Sequence, residues 1–260
     1  VAVPVGEAED DASEKEAAAG MCSGRVCMEG GRPLRCLLVD DDPLQLEMTA
    51  TLCRELGIET ESCPFPEYAE KLVQESSFDL VFTDIQMPGV DGFEVLRRIR
   101  AVRAELPVVA VSARSDDESA YVERGFAAVL RKPFARAELV AVLRRVVPEA
   151  GVAPEECLPE EDAVRGFEAL TAFARDDAEA AREIIRTFVA ENEAHAETLR
   201  RAALAGDAVA LRAIAHKMVP IYTLLGEEEL AAALRRQERS EGSADGALRS
   251  AALGVAERVG

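Results

Sequence analysis

The sequence predicts two joined units: a five-stranded parallel α/β sheet with helices on both faces, followed by an all-α helical bundle. Three observations carry this. Between Arg35 and Pro148, five short apolar runs alternate with five segments of helical spacing, the pattern of a parallel sheet wound through crossover helices. The runs are continuously apolar, as in Leu80-Val81-Phe82 and Val108–Val111, which suits strands covered on both sides. Beyond Pro148 the strand signals vanish while helical periodicity continues.

Taken in order, residues 1–32 read as a linker. Glu7–Glu16, EAEDDASEKE, is acidic and nearly without large apolar groups, a composition that predicts disorder. Val1–Val5 differs, because it alternates like a strand end and has nothing to pair with, as expected of the remnant of an upstream domain. The α/β unit is placed at 33–148. Cys36–Val39 is its first strand and runs into Asp40-Asp41-Asp42-Pro43, where Asp42 is positioned to cap a helix. Leu44–Leu56 has helical spacing at Leu44, Met48, Leu52 and Leu56, and stops at Gly57. Ile58–Ser62 is a less apolar strand and Glu67–Ser76 a helix. The strand Leu80–Phe82 ends at Thr83-Asp84, and the turn signals Pro88-Gly89 and Asp91-Gly92 follow. Phe93–Arg100 is a helix with Phe93, Leu96 and Ile99 inward. Val108–Val111 is a strand ending in Ser112-Ala113, Asp116–Arg124 a helix stopped by Gly125, Ala128–Leu130 a strand ending in Arg131-Lys132-Pro133, and Ala135–Val147 a helix ended by Pro148.

Residues 149–158 read as a linker with Gly151 and two prolines. The second unit, 159–260, holds helices at Asp162–Arg175, Asp177–Ala205, Ala208–Leu225, Glu227–Arg239 and Ala247–Val259, four core helices of an antiparallel bundle plus an extra amphipathic one.

Composition narrows the function. The chain has 260 residues, with 49 acidic against 30 basic side chains and a net charge of −19. That disfavours nucleic acid, whose phosphates need a basic patch, and gives an anionic membrane surface nothing to attract. No apolar run is long enough to span a bilayer, and the acidic start is not a signal peptide. The six cysteines, Cys22, Cys27, Cys36, Cys53, Cys63 and Cys157, are scattered through too long a chain for a disulfide scaffold and suggest reduced thiols in a cytoplasmic protein. Cys22 and Cys27 are loosely spaced for a metal pair, and no second Cys/His pair follows.

The chemistry gathers at one edge of the sheet. Asp40, Asp41, Asp84, Ser112 and Lys132 each lie just past the carboxyl end of a strand, and in this architecture those ends share the crevice where ligands bind. Crowded carboxylates repel and cannot all stay ionised without a counter-charge. A hard divalent cation with oxygen ligands answers that need, and Mg²⁺ suits a site with few protein carboxylates and room for phosphate oxygens. Cation, carboxylate, lysine and hydroxyl together are the equipment of phosphoryl transfer, where catalysis is mostly positioning and charge neutralisation.

The motifs LLVDDDP, FTDIQMPGVDG, AVSA and LRKPF resemble, in order and spacing, the receiver domain of bacterial two-component response regulators over roughly residues 34–147. The resemblance implies a flavodoxin-like fold with Asp84 as phosphoacceptor. It implies Asp40 and Asp41 as the acidic pair, with Asp41 the more direct Mg²⁺ ligand and the Gln86 backbone carbonyl a further one. It implies that Ser112 contacts the phosphoryl group, that Lys132 pairs with its oxygens, and that the bond before Pro133 is cis. One departure stands out. Where the family carries a switch aromatic, three residues before the lysine, this chain has Val129.

Both histidines fall in the second unit. On a helical wheel of roughly 100° per residue, Leu211, Ile214, Ala215, Met218, Tyr222 and Leu225 form one buried stripe of Ala208–Leu225. His216 lies on the opposite side and is expected to face solvent, while His195 falls with Ile184 and Phe188 on the packed side of its own helix. A neutral imidazole is a good phosphoryl acceptor. The run AHKMVPIYTLLG, with the flanking TFVAENEAHAETLRRAALAGD and EEELAAALRRQE, is similar to histidine phosphotransfer domains of the kind found at the ends of hybrid sensor kinases. This implies His216 as the phosphorylated histidine. Where the commonest form of that motif has a lysine and a glycine, this chain has Val219 and Pro220, so any phosphate-facing work passes to Lys217. Pro220 lacks an N–H, so the bond back to the His216 carbonyl is missing and a kink is expected there.

The resemblances imply the C-terminal part of a hybrid sensor kinase, with an upstream histidine kinase domain and a downstream response regulator receiver as partners. Kinase ATP-binding motifs are absent from the sequence, so labelling from ATP alone is not expected. Two rivals stand beside this reading. One is a phosphatase of the haloacid dehalogenase type using Asp40 and Asp42, with Ser112 and Lys132 in matching order; it leaves Asp84 and His216 without roles. The other is a non-catalytic signalling scaffold.

Overall fold

The computed structural model describes residues 26–28, 30–113, 118–151, 167–174, 177–238 and 254. Five strands, β1 (Arg35–Val39), β2 (Glu59–Cys63), β3 (Leu80–Asp84), β4 (Val108–Ser112) and β5 (Ala128–Arg131), form one sheet of order β2-β1-β3-β4-β5. Every neighbouring pair is parallel, which is the flavodoxin-like winding. The helices α1 (Pro43–Glu55), α2 (Ala69–Glu75), α3 (Gly92–Val102), α4 (Glu118–Val122) and α5 (Arg136–Val146) cross between the strands. The predicted helix Glu67–Ser76 divides into a 3₁₀ turn, Pro66–Tyr68, followed by α2, because Pro66 supplies no N–H and starts a tighter turn.

The sheet separates two apolar cores. Leu38, Phe82, Val111 and Leu130 pack with Leu52, Leu139 and Leu143 on one face. Leu37, Val81, Val108 and Ala110 pack with Val95, Ile99 and Phe126 on the other. Both faces are covered, which is why β1, β3 and β4 read as unbroken apolar runs.

Packing of this unit extends past the predicted boundaries at 33 and 148. Val26, expected within the linker 1–32, is buried in the first core, and its N–H donates to the Leu56 carbonyl at 2.7 Å. Cys27 and Gly151 form an antiparallel bridge, so Ala150 and Gly151, expected within the linker 149–158, are also part of the unit. A single buried valine in a small-residue stretch carries no periodicity by which to recognise it. Val1–Val5, Glu7–Glu16, Cys22, Cys157 and the predicted helix Ala247–Val259 lie outside the described residues, Gly254 excepted. Cys36, Cys53 and Cys63 are free thiols.

The C-terminal region is helical: α6 (Phe167–Thr171) with a 3₁₀ turn at Ala172–Ala174, α7 (Ala178–Ala205), α8 (Ala208–Leu224) and α9 (Glu228–Glu238). Asp177 and Asp207 cap α7 and α8 by accepting from the first-turn N–H groups, and Gly206 ends α7 in the left-handed conformation at φ 69°. Leu199, Leu211, Met218, Tyr222, Leu230 and Leu234 make the core between α7, α8 and α9. Helix α8 continues through Pro220 to Leu224.

The two regions pack on each other. Leu44 and Met48 of α1 share one apolar cluster with Leu170, Ile184, Phe188 and Ile221 of the helical region. Helix α8 is therefore buried on two sides, one against its own bundle and one against the α/β unit.

Candidate functional site

The parallel register brings the strand ends to one edge. Val39 pairs with Thr83, Asp84 with Val111 and Ser112 with Arg131, so Asp40, Asp84, Ser112 and Lys132 emerge side by side. Asp40, Asp84 and Ser112 are all buried. Each of Asp40, Asp41 and Asp84 offers a carboxylate oxygen, and these oxygens lie within 4.8 Å of one another. Three hard oxygen donors so close are the donor set expected for Mg²⁺.

Lys132 neutralises part of this charge. Its Nζ donates to Asp40 at 2.6 Å and to Asp84 at 2.9 Å. Burial alone would push the ammonium down, but the two carboxylates outweigh it and hold Lys132 well above its ordinary range. Burial pushes the Asp40 carboxyl above the usual carboxylate range; Lys132 pulls it down, and the charges of Asp84 and Asp42 push it up again. The Lys132–Pro133 peptide is cis, as expected.

Backbone geometry fixes Asp84. The Gln86 N–H donates to its second carboxylate oxygen at 2.9 Å. Gly92 opens α3 directly against its carbonyl: a Cβ there would stand 2.3 Å from the Asp84 carbonyl oxygen and 2.9 Å from Ile85 Cα. Asp91 caps α3 by accepting from the Glu94 N–H. Asp42 accepts from the Leu44 and Gln45 N–H groups and caps α1. That employment leaves the dehalogenase-type pairing of Asp40 with Asp42 without its second acid.

His216 departs from expectation. It is buried, not solvent-facing. The wheel compares a helix with one partner, whereas α8 has two, and the face opposite the bundle stripe meets the α/β unit. Asp40, Asp42, Gln45, Asp84, Lys132, His216, Lys217 and Pro220 line a single cleft. Within it, His216 Nδ1 lies 2.7 Å from Glu238 Oε1, and Lys217 Nζ donates to Asp41 Oδ2 at 2.5 Å. His195, expected to pack, is only slightly exposed, with Nε2 3.5 Å from Glu191.

Three residues of the site carry no sequence signal. Gln45 looks like any polar helix residue, Glu238 meets His216 from another helix, and Tyr121 sits with its hydroxyl 3.4 Å from Ser112 Oγ. Val129, where the family's aromatic is missing, is simply part of the second core.

A flavodoxin-like sheet with an acidic triad, a hydroxyl and a lysine at its carboxyl edge defines a receiver-type unit. Residues 36–144 match the family model described as the response regulator receiver domain, and this part of the chain is such a domain, a component of two-component phosphorelay signalling. The chain is 30% identical, over 80% of its length, to the sensor protein GacS of Pseudomonas syringae pv. syringae, of which the match covers 24%. It is 35% identical over 51% of its length to the transcriptional regulatory protein TcrA of Mycobacterium tuberculosis, covering 53% of that protein. The chain thus spans about a quarter of GacS and about half of TcrA. Among solved structures, the receiver domain of the sensor histidine kinase PA1611 of Pseudomonas aeruginosa PAO1 is 27% identical over 45% of this chain and 98% of that one, with a TM-score of 0.42. Among the described residues, no helix is long and apolar enough to cross a membrane.

Proposed function

We propose that this chain is a phosphorelay segment in which a phosphoryl group passes between Asp84 of the receiver domain and His216 of a histidine phosphotransfer domain formed by residues 159–260. In this reading it is the C-terminal part of a hybrid sensor kinase acting in the cytoplasm. An upstream histidine kinase domain feeds it, and a downstream response regulator receiver takes the phosphoryl group from it. The observation that carries the proposal is that Asp84 and His216 line the same cleft.

The residues divide the work. Asp40, Asp41, Asp84 and the Gln86 carbonyl would hold Mg²⁺, which when bound offsets the negative charge of the phosphoryl oxygens. Lys132, already bonded to Asp84, pairs with a phosphoryl oxygen, and Ser112 supplies a hydroxyl to another. An ionised carboxylate only accepts, so Glu238 keeps the proton on His216 Nδ1 and leaves the lone pair on Nε2. In transfer from histidine, the Nε2–P bond breaks with its electron pair remaining on Nε2, and an Asp84 oxygen forms the new O–P bond. The imidazole leaves neutral, and no proton moves.

Labelling with acetyl phosphate and Mg²⁺ tests this, comparing wild type with Asp84→Asn, Asp40→Asn and His216→Gln. The expected result is no label in Asp84→Asn, and in His216→Gln an acyl-phosphate label without the acid-labile phosphohistidine. Label lost in Asp40→Asn but normal in Asp84→Asn would overturn the proposal.

A further inference from the structure

The acidic triad has two lysines against it, and they belong to different domains. Lys132 serves Asp40 and Asp84. Asp41 is served by Lys217 of α8, whose Nζ lies 2.5 Å from its carboxylate and 3.4 Å from its backbone carbonyl. The Lys217 and Asp41 side chains are 21% and 16% exposed, so solvent screens this pair only in part. Lys217 is adjacent to His216, and Ile221, one turn further along α8, packs with Leu44 and Met48 of α1. The ion pair is thus the polar end of the same contact that seats α8 on the receiver.

We infer that Lys217 and a divalent cation are alternative counter-ions of Asp41, so that seating of α8 and metal binding oppose one another. The inference rests on the reading of Asp40, Asp41 and Asp84 as the Mg²⁺ site. Charge is its reason. Ammonium and cation would both sit on the one Asp41 carboxylate, where Lys217 Nζ already lies 2.5 Å from Oδ2, and two cations held that close in a partly buried site repel. Without the cation, Lys217 offsets part of the negative charge of the carboxylates gathered there. Coupling between two binding events is reciprocal. Lys217 therefore lowers the affinity of the receiver for Mg²⁺, and Mg²⁺ releases the Lys217 ammonium from Asp41. Lys217 is on this account a positioning residue: it adds a polar anchor to the seating of α8, and its release leaves the apolar contact of Ile221 with Leu44 and Met48 to keep His216 at the cleft.

The test measures Mg²⁺ affinity of the full chain by calorimetry at low salt. Variants are Lys217→Met, Lys217→Arg, Asp41→Asn, and Lys71→Met as a control at an exposed lysine whose partner is Glu75. Lys217→Met is expected to bind Mg²⁺ about fivefold more tightly or better, with Lys217→Arg close to wild type and Lys71→Met unchanged. Equal affinity in Lys217→Met and wild type, with binding abolished in Asp41→Asn, overturns the inference and leaves the metal site standing. Failure of every form to bind Mg²⁺ overturns both. A second readout needs no variant: acylation of lysine amines, followed by mass spectrometry, is expected to rise severalfold at Lys217 on adding Mg²⁺ and to stay constant at Lys71. A Lys217 reactivity indifferent to Mg²⁺ counts against the inference.

Discussion

His216 Nδ1 lies 2.7 Å from Glu238 Oε1, a contact between α8 and the last described turn of α9. It fixes the ring orientation as well as the tautomer, since an imidazole held at one nitrogen presents the other in a set direction. Glu238→Ala is expected to slow phosphoryl transfer between Asp84 and His216 about tenfold, corresponding to a hydrogen bond to a charged group of about 1.5 kcal/mol. Labelling of Asp84 by acetyl phosphate should stay unchanged. Rapid-quench transfer rates check this, and an unaltered rate would show that Glu238 is a bystander.

Gly92 is required by space rather than by backbone angle. A methyl group there meets the carbonyl oxygen and the neighbouring Cα of the Asp84–Ile85 strand end, and backbone cannot step aside as a flexible side chain can. Gly92→Ala is expected to cost about 1–3 kcal/mol and to reduce labelling of Asp84, because the strand end must shift. Urea unfolding with parallel acetyl phosphate labelling would reveal both losses. A variant as stable and as readily labelled as wild type contradicts the close approach.

Tyr121 packs in the same core as Val129. Its ring stacks on Phe93 at 6.0 Å and meets Phe126 edge-on at 6.2 Å, while its hydroxyl faces Ser112. Tyr121→Phe is expected to keep the ring packing and cost about 1 kcal/mol; Tyr121→Ala should cost about 3–5 kcal/mol. In both, the amide shifts that phosphorylation of Asp84 induces in α4 should shrink relative to wild type. Full-sized shifts in Tyr121→Phe would mean that the hydroxyl carries no message from Ser112.

His195 makes stability depend on pH. Burial lowers its pKa below 6.5, against the charges of Asp42 and Glu191, which raise it. The native state therefore keeps it neutral where the unfolded chain begins to bind a proton, and stability falls as pH drops below about 6.5, by at most ~1.4 kcal/mol per unit. Asp79, lowered chiefly by its bonds from Arg32, loses its contribution only near and below 3.8, outside that window. Asp40, whose carboxyl is raised to about 7, acts in the opposite direction in the same window but equally in both proteins, so between pH 7.5 and 5.5 the urea midpoint of wild type should decline relative to that of His195→Gln. Parallel declines would assign the acid sensitivity elsewhere.

The sheet and its edge were legible because each strand end in the sequence coincides with a turn signal. Val39 gives way to Asp40-Asp41-Asp42-Pro43 and Phe82 to Thr83-Asp84, so polar groups at strand ends declare themselves. His216 was legible as chemistry but not as geometry. Its neighbours on α8 define a stripe only for the bundle, and nothing local announces that the receiver covers the other side. Gln45, Tyr121 and Glu238 were illegible for a related reason. Each joins the site through a contact between separate elements, and no spacing within one helix encodes it. Val26 and Gly151 fell outside the predicted unit because one buried residue beside glycines makes no period.

The bridge between Cys27 and Gly151 has a consequence for how the receiver is plumbed into the chain. The polypeptide enters and leaves this domain through one doorway, with Cys27 and Gly151 side by side. These two residues, at its two ends, are next-door neighbours. Excising the residues between them would leave two ends close enough to be joined by a short splice.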